Sequence, residues 1–287
     1  MKSVIGIDLG GTNIRGGVVN NNRLSGILQQ RINAQGSAEE VLQQLFQLTD
    51  ALINDSVAAI GIGVPGLVEA ATGTVFDVVN IPSWKEIPLQ RLIEERYQRS
   101  ALINNDANCF ALGELYFGKG QGTNSMVGLT VGTGLGSGII INKKLYAGNN
   151  CGAGEFGMIE YKEQVYEYYA SGQFFQNVYG IDGEVVFKHA AEGDAEALNM
   201  YAEMGTHLGN AIKTILFSLD VDLIILGGSV RKAFPYFSEA MWKSIRSFAY
   251  KRTAERLQVK VSELENSGIL GAAALHYDQQ KNPLPSP

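Results

Sequence analysis

The sequence predicts an α/β protein built from two similar halves. Three observations carry this: strands and helices alternate along the chain, a glycine-rich strand pair opens each half, and segments of the first half align with segments of the second.

Residues 4 to 9 alternate β-branched residues with glycine, and Arg15-Gly16-Gly17-Val18-Val19 before Asn20-Asn21-Asn22 reads as a second strand ending in a turn. The chain therefore opens with a β-hairpin. Ser37-Ala38-Glu39-Glu40 has the form of a capping box, and Val41, Leu42, Leu45, Leu48, Leu52 and Ile53 recur near helical spacing, which predicts a helix over 37–54. Strands follow near 57–64 and 101–104, with helices near 88–97 and 107–116.

Val4-Ile5-Gly6-Ile7-Asp8-Leu9-Gly10 aligns with Met126-Val127-Gly128-Leu129-Thr130-Val131-Gly132, and after a one-residue gap Gly17-Val18-Val19 aligns with Gly138-Ile139-Ile140. Duplication is the preferred explanation over chance similarity of two glycine-rich hairpins. The second half reads as helices near 165–180 and 194–219, a strand at 223–226, a helix after Gly227-Gly228-Ser229, a strand at 257–262 and a final helix after Gly268. Within the helix near 165–180, Phe174, Phe175 and Tyr179 suit either a subunit interface or the core, and helical spacing favours the core. No low-complexity linker separates the halves, so a boundary near residue 117 rests on the repeat alone. The tail from Asn282 to Pro287 carries three prolines and is expected to be disordered.

A chain of 287 residues with 45% hydrophobic content can form one large domain or two modest ones. A formal charge of -6 supplies no basic field for nucleic acid or an anionic membrane, so a small-molecule partner is expected. Two cysteines, Cys109 and Cys151, are too few for a disulfide scaffold and fit a reducing, cytoplasmic location. The N-terminal apolar run is broken at once by Asp8 and two glycines, unlike a signal peptide or a membrane span.

Several segments carry candidate chemistry. In Asp8-Leu9-Gly10-Gly11-Thr12-Asn13, between two strands, glycines let backbone approach an anion, Thr12 offers a hydroxyl, and the acid suits Mg²⁺. A tight turn that merely needs positive φ is the plainer alternative. Gly132-Thr133-Gly134-Leu135-Gly136 repeats the phosphate-friendly parts without the acid. Neither is a Walker loop, and the second fails the strand-to-helix context of a dinucleotide fingerprint. Asp106, after a strand and opening a helix, suits either a helix cap or a catalytic acid. Its place at the carboxyl end of a strand, where ligands bind in open α/β sheets, favours the acid.

Gly152-Ala153-Gly154-Glu155-Phe156-Gly157 suits backbone approach to a compact polar ligand, or is a surface turn. Glu167 could equally be a solvated first-turn acid. Gly227-Gly228-Ser229 could receive a nucleotide's base and ribose, or only turn the chain sharply. His189, His207 and His276 are far apart and the cysteines lack CxxC spacing, so no zinc site is expected.

Together these segments resemble the ROK family (repressors, open reading frames, kinases) over essentially the whole chain. Four segments carry the resemblance: Asp8 to Arg15, Asn105-Asp106-Ala107-Asn108, Gly132 to Gly138, and Gly154-Glu155-Phe156-Gly157. Val64-Pro65-Gly66, Glu167 with Ala170-Ser171-Gly172, Gly227-Gly228, and Leu270-Gly271-Ala272-Ala273-Ala274 support it. The resemblance implies a hexokinase-like fold, two ribonuclease-H-like (actin/hexokinase-like ATPase) lobes closing a central cleft around ATP, Mg²⁺ and a hexose. The lobes would be 1–116 with 273–287, and 117–272. By matching position Asp106 would be the catalytic base, and Gly66, Asn80, Asn105, Glu155 and Glu167 would contact the sugar. Asp8 would organise Mg²⁺ indirectly. Gly10, Gly11, Thr12, Asn13, Gly132, Thr133 and Gly134 would bind phosphate, and Gly227 and Gly228 would lie by the adenosine.

The sequence departs from the family pattern at two places. Met158 stands where relatives usually carry histidine, and the family's Cys-x-Cys-Gly-x-x-Gly-Cys zinc cluster is missing, with only Tyr161 to Tyr166 leading to Glu167. The resemblance then implies no structural zinc and a sugar pocket lacking one polar partner. Glucose is the first expected substrate and N-acetylmannosamine the second; fructose, N-acetylglucosamine and β-glucosides follow. A sugar-responsive repressor is the competing class, disfavoured because such members carry a helix-turn-helix ahead of the kinase-like body and this chain opens in the first phosphate strand. The resemblance also implies a homodimer.

Overall fold

The computed structural model describes residues 2–78 and 80–281, so the proline-rich tail and the disorder expected of it lie outside the described residues. Strand β1 (Ser3–Leu9) turns back into β2 (Asn13–Asn20), and β3 (Arg23–Arg31) follows after a two-residue turn. Helix α1 (Ala38–Leu52) begins at Ser37 with the expected capping box. The Ser37 hydroxyl accepts from the Glu40 amide at 3.2 Å, and the Glu40 carboxylate accepts from the Ser37 amide at 2.7 Å. Its buried face, Val41, Leu42, Leu45, Leu48 and Leu52, is the periodic set read from the sequence.

After β4 (Val57–Val64) come three short strands, β5 (Leu67–Glu69), β6 (Thr74–Phe76) and β7 (Glu86–Ile87), which form their own small sheet. Helix α2 (Leu89–Tyr97), β8 (Ser100–Asn105) and α3 (Asp106–Phe117) complete the first run. The second opens with β9 (Met126–Val131), β10 (Leu135–Ile141) and β11 (Lys144–Tyr146). A two-strand hairpin, β12 (Glu160–Tyr161) and β13 (Gln164–Val165), leads into α4 (Tyr166–Ala170). Then come α5 (Gly183–Ala191), α6 (Ala195–Leu219), β14 (Leu223–Gly227), α7 (Phe234–Arg246), α8 (Lys251–Arg256), β15 (Gln258–Val261) and α9 (Ser267–Lys281).

The two five-stranded sheets have one topology. Their orders, β3-β2-β1-β4-β8 and β11-β10-β9-β14-β15, correspond strand for strand when β1 is matched with β9, which supports the duplication read from the two aligned hairpins. In each, an antiparallel edge is followed by parallel strands: β1 with β4 and β4 with β8, β9 with β14 and β14 with β15.

The chain divides into two compact units. The described residues of the first fall within Met1–Asn124, Gly138–Ala153 and Glu263–Pro287, and the second is Ser125–Ser137 with Gly154–Ser262. In the first, Ile5, Ile7, Ile60, Ile62 and Leu45 form a core between β1, β4 and α1. On the other face of that sheet α9 lies so close that a Cβ on Gly61 would sit 1.9 Å from the Ala272 carbonyl oxygen. In the second, Ile212, Ile215 and Leu216 of α6, Met241 and Ile245 of α7, and Ile224, Ile225 and Leu226 of β14 are buried.

Three expectations change in detail. The helix near 165–180 is two pieces, because the Gly172 amide donates to the Gly132 carbonyl at 2.7 Å and pulls Ser171 into an extended conformation; a π-helical turn, Phe175–Tyr179, follows. Phe174 and Phe175 are core, as expected, but Tyr179 is exposed and donates its hydroxyl to Glu203 at 2.5 Å. The edge strand β3 and the two- and three-residue strands carry no period-two signal, since β3 is mostly exposed on both faces and the others are too short. Among the described residues no helix is long and apolar enough to cross a membrane.

Candidate active site

In the first unit the pairing registers place three candidate segments in one row. Asp8 on β1 pairs with Gly63 on β4, and Gly63 pairs with Asn104 on β8. Adjacent strands are about 4.8 Å apart, so Asp8 and Asn104 lie roughly 10 Å from each other at the carboxyl ends of parallel strands. Cys109, buried beneath them on α3, reports both carboxylates. Its thiol is pushed well up by burial first and then by the negative charges of Asp106 and Asp8.

The β1–β2 turn closes with the Gly10 amide donating to the Asn13 carbonyl at 2.9 Å, and Thr12 is exposed at its tip. Neither Gly10 nor Gly11 has positive φ, so left-handed geometry does not explain the double glycine. Gly11 is instead required by contact, because a Cβ there would lie 2.5 Å from the Cβ of Asn80. A cavity of about 560 Å³ opens beside this turn, lined by Gly11, Thr12 and residues 31–35.

Asp8 is unusual electrostatically. Burial raises its carboxyl above the ordinary range, and the opposing charge of Arg15, its partner on β2, only partly offsets this. The Arg15 guanidinium donates to the Asn266 side chain just ahead of α9, while its Nε is buried without a hydrogen-bond partner. The first turn of α9 touches the carboxylate at Gly268, where a Cβ would be 2.5 Å from Asp8 Oδ2. The carboxylate therefore sits against a helix N-terminus, which favours negative charge.

The cap of α3 is Asn105, not Asp106. Asn105 Oδ1 accepts from the Ala107 amide at 2.9 Å and its Nδ2 donates to the Gly66 carbonyl at 3.2 Å, so one side chain ties the helix start to the segment after β4. Asp106 is the first helical residue; its Oδ1 accepts from the Ala107 amide at 2.8 Å and the side chain is exposed. Asn108, in contrast, is buried and donates to Asn104 Oδ1 and the Cys151 carbonyl, both at 2.9 Å, which makes it a structural link. Gly138 is also a packing residue: a Cβ would lie 2.6 Å from the Ala107 carbonyl oxygen.

In the second unit the turn after β9 closes with the Gly132 amide donating to the Gly134 carbonyl at 3.0 Å. Glu167 grips it. Its Oε2 accepts from the Leu135 amide at 2.8 Å, and a Cβ on Gly134 would lie 2.5 Å from that oxygen. Glu155 is its electrostatic neighbour, with a carboxyl raised by burial first and by the negative charge of Glu167 second. Met158 is 59% exposed, and its amide donates to the Glu155 carbonyl at 3.1 Å.

Gly227 ends β14, and Gly228 turns the chain with φ 78° against β9, where a Cβ would lie 2.2 Å from the Val131 carbonyl oxygen. A cavity of about 550 Å³ adjoins this turn, lined by Gly132, Thr133, Gly172, Gln173 and Ser229, with Phe175, Phe187, Tyr201, Lys188 and Lys232 around it. Gln173 holds the second turn by donating to the Thr133 carbonyl at 3.0 Å. The cavity residues from α5 and α6 carry no local sequence signal, because separate helices bring them together. Among the described residues no three His, Cys, Asp or Glu side chains gather as a metal-ligand set.

The sequence pattern of the ROK family matches residues 4–279. The chain is 30% identical over 301 residues to N-acetyl-D-glucosamine kinase of Vibrio parahaemolyticus, covering 94% of this chain and 98% of that protein. It is 27% identical over 317 residues to glucokinase of Halalkalibacterium halodurans, covering 97% and 96%. The crystal structure of a ROK family glucokinase from Streptomyces griseus, in complex with glucose and AMPPNP, superposes with a TM-score of 0.80 at 29% identity, covering 95% of this chain and 98% of that one. The expected fold of two ribonuclease-H-like lobes is borne out.

Proposed function

The chain belongs to the ROK family, and from that premise we propose that it is an ATP-dependent kinase for a hexose hydroxyl, with Asp106 as the general base. The observation that carries the reading is the row Asp8, Gly63, Asn104 at the strand ends, with the exposed Asp106 carboxylate two residues beyond it.

The residues present fit the nucleotide and its metal. The cavity of about 550 Å³ lined by Thr133, Gly172, Tyr201 and Ser229 is large enough for a nucleoside, and Gly228 makes the turn just before Ser229. Asp8 is a carboxylate whose burial is only partly compensated by Arg15, the kind of group that gains from a nearby cation. Bound ATP with Mg²⁺ would supply the phosphoryl group and the charge neutralisation it needs.

The protein's own residues do the rest. A sugar hydroxyl is a weak acid, so Asp106 accepts its proton as the oxygen attacks. Asn105, fixed by Gly66 and the start of α3, presents its amide from a rigid cap. Glu155 and Glu167 accept from sugar hydroxyls and so set which one reaches the base. Backbone amides and the Thr12 and Thr133 hydroxyls at the two turns hold phosphate oxygens. Gly10, Gly11, Asn13 and Gly134 form the backbone of those turns.

Glucose with transfer to its 6-OH is the first reading, supported by the glucokinases among the relatives. N-acetylmannosamine is the second candidate, and the relative that phosphorylates N-acetylglucosamine keeps an N-acetylated acceptor in view. A coupled ADP-release assay over glucose, mannose, fructose, N-acetylglucosamine and N-acetylmannosamine tests it. Turnover of at least one is expected, and silence on all five would overturn the hexose reading. A cytoplasmic, homodimeric protein completes the proposal, with the two free, buried cysteines in support of a reducing compartment.

A further inference from the structure

Glu167 sits on an element that cannot hold itself. Helix α4 has five residues and no side-chain cap at its N-terminus, and an isolated single turn is unstable in water. The position of Glu167 must therefore come from tertiary contacts of its neighbours. Tyr166, the residue before it, bonds through its hydroxyl to Thr214 Oγ1 at 2.9 Å. Its ring stacks on Tyr161 with centroids 4.3 Å apart and planes within 16°.

Tyr161 is brought back against Tyr166 by the β12–β13 hairpin and is itself fixed at its far end. Its hydroxyl accepts from Asn210 Nδ2 at 2.7 Å and lies 3.1 Å from His207 Nδ1, while Asn210 Oδ1 accepts from Ser244 Oγ on α7 at 3.0 Å. His207, Asn210 and Thr214 follow one another at spacings of three and four, so they share one face of α6. That helix runs 25 residues and packs along α7, which makes it the rigid body in this part of the unit. A polar stripe on a largely buried helix face costs stability unless it is used. Here every member of the stripe meets the segment that carries Glu167, directly or through Tyr161.

We propose that Tyr161 is a positioning residue: held by Asn210 and His207 and stacked on Tyr166, it fixes the Glu167 carboxylate against the Leu135 amide and towards the sugar. The proposal rests on the reading of Glu167 as a sugar ligand. The geometry gives a continuous line of contact from α6 and α7 through Tyr161 and Tyr166 to Glu167, ending on the backbone of the second glycine turn. Loss of the Tyr161 hydroxyl therefore acts on the site without removing any group that touches substrate.

Tyr161→Phe is the informative variant, because it keeps the stacked ring and removes only the hydroxyl's bonds. Hydrogen exchange, which needs no substrate, is read first. The Leu135 amide, whose acceptor is Glu167, should exchange about tenfold faster in the variant, with the melting temperature and the amides mid-way along α6 little changed. Unchanged exchange at Leu135 would overturn the proposal. Kinetics are read second, against Glu167→Gln. Tyr161→Phe should lower kcat/KM for the sugar by about tenfold in the parent, and by no more than about twofold when Glu167 is already Gln. An equal loss in both backgrounds would mean that Tyr161 acts independently of Glu167, and the proposal would fall. If the parent turned over none of the sugars, the kinase reading would fail separately, and exchange at Leu135 would still decide whether Tyr161 positions Glu167.

Discussion

Gly11 and Asn80 are in contact across the first glycine turn, where the missing side chain of one makes room for the Cβ of the other at 2.5 Å from where its own Cβ would be. The contact couples a turn proposed to bind phosphate to a residue proposed to line the sugar site, so a small change at one should be felt at both.

Gly11→Ala should therefore raise KM for ATP and for the sugar together. Because φ at Gly11 is not positive, alanine meets no backbone strain there, but its Cβ would meet the Asn80 Cβ at 2.5 Å, so the melting temperature should fall as Asn80 is displaced. Steady-state kinetics with both substrates varied checks this. A rise confined to ATP would show that Asn80 does not transmit the change.

Asp106→Asn should lower kcat by about 10² to 10⁴ while sugar binding, followed by calorimetry, stays within a few-fold of the parent. The helix should survive, because its cap is Asn105. Near-parent turnover would remove Asp106 from the role of base.

Gly228→Ala combines a positive φ with a clash at the Val131 carbonyl. A non-glycine residue in a sparsely populated backbone region costs of the order of 1–3 kcal/mol before any clash is counted. Both a lower melting temperature and a higher KM for ATP are expected, with KM for the sugar nearly unchanged. Thermal melts and nucleotide titration on one preparation test the pair of effects; a parent-like KM for ATP would separate Gly228 from the nucleotide site.

Glu155 gives a pH dependence with a definite sign. Its carboxyl is raised above 4.5 by burial and then by Glu167, so it takes up a proton at a higher pH than an ordinary glutamate. Protonation removes the charge that strengthens a bond from a sugar hydroxyl. KM for the sugar should rise on acidification, beginning above pH 4.5, and Glu155→Gln should flatten that rise. A KM independent of pH down to 4.5 would argue that Glu155 does not meet the sugar.

Much of this protein could be read from local sequence because its signals are local. The capping box at Ser37, the periodic face of α1, the repeated glycine-rich hairpins and the acid at the head of α3 each depend on residues within a few positions of one another. Those signals were enough for the α/β class, the duplication and the candidate residues from Asp8 to Gly228. The alignment of Val4 to Gly10 with Met126 to Gly132 points to duplication, and the strand order that the two sheets share supports it.

Other features have no local cause. Asn105 rather than Asp106 caps α3 because Asn105 also reaches Gly66, 39 positions away in sequence. Ser171 and Gly172 break a helix that the local pattern would continue, because a bond to the Gly132 carbonyl competes successfully with the helical one. His207, which in sequence is a lone histidine without a ligand partner, proves to belong to a cluster with Tyr161 and Asn210. Sequence alone determined the principal strands and helices and the candidate residues they carry, since short-range sterics and hydrophobic periodicity act along the chain. Only the tertiary structure decided what holds each functional group in place, because those hydrogen bonds and ring contacts join residues that are neighbours in space and strangers in sequence.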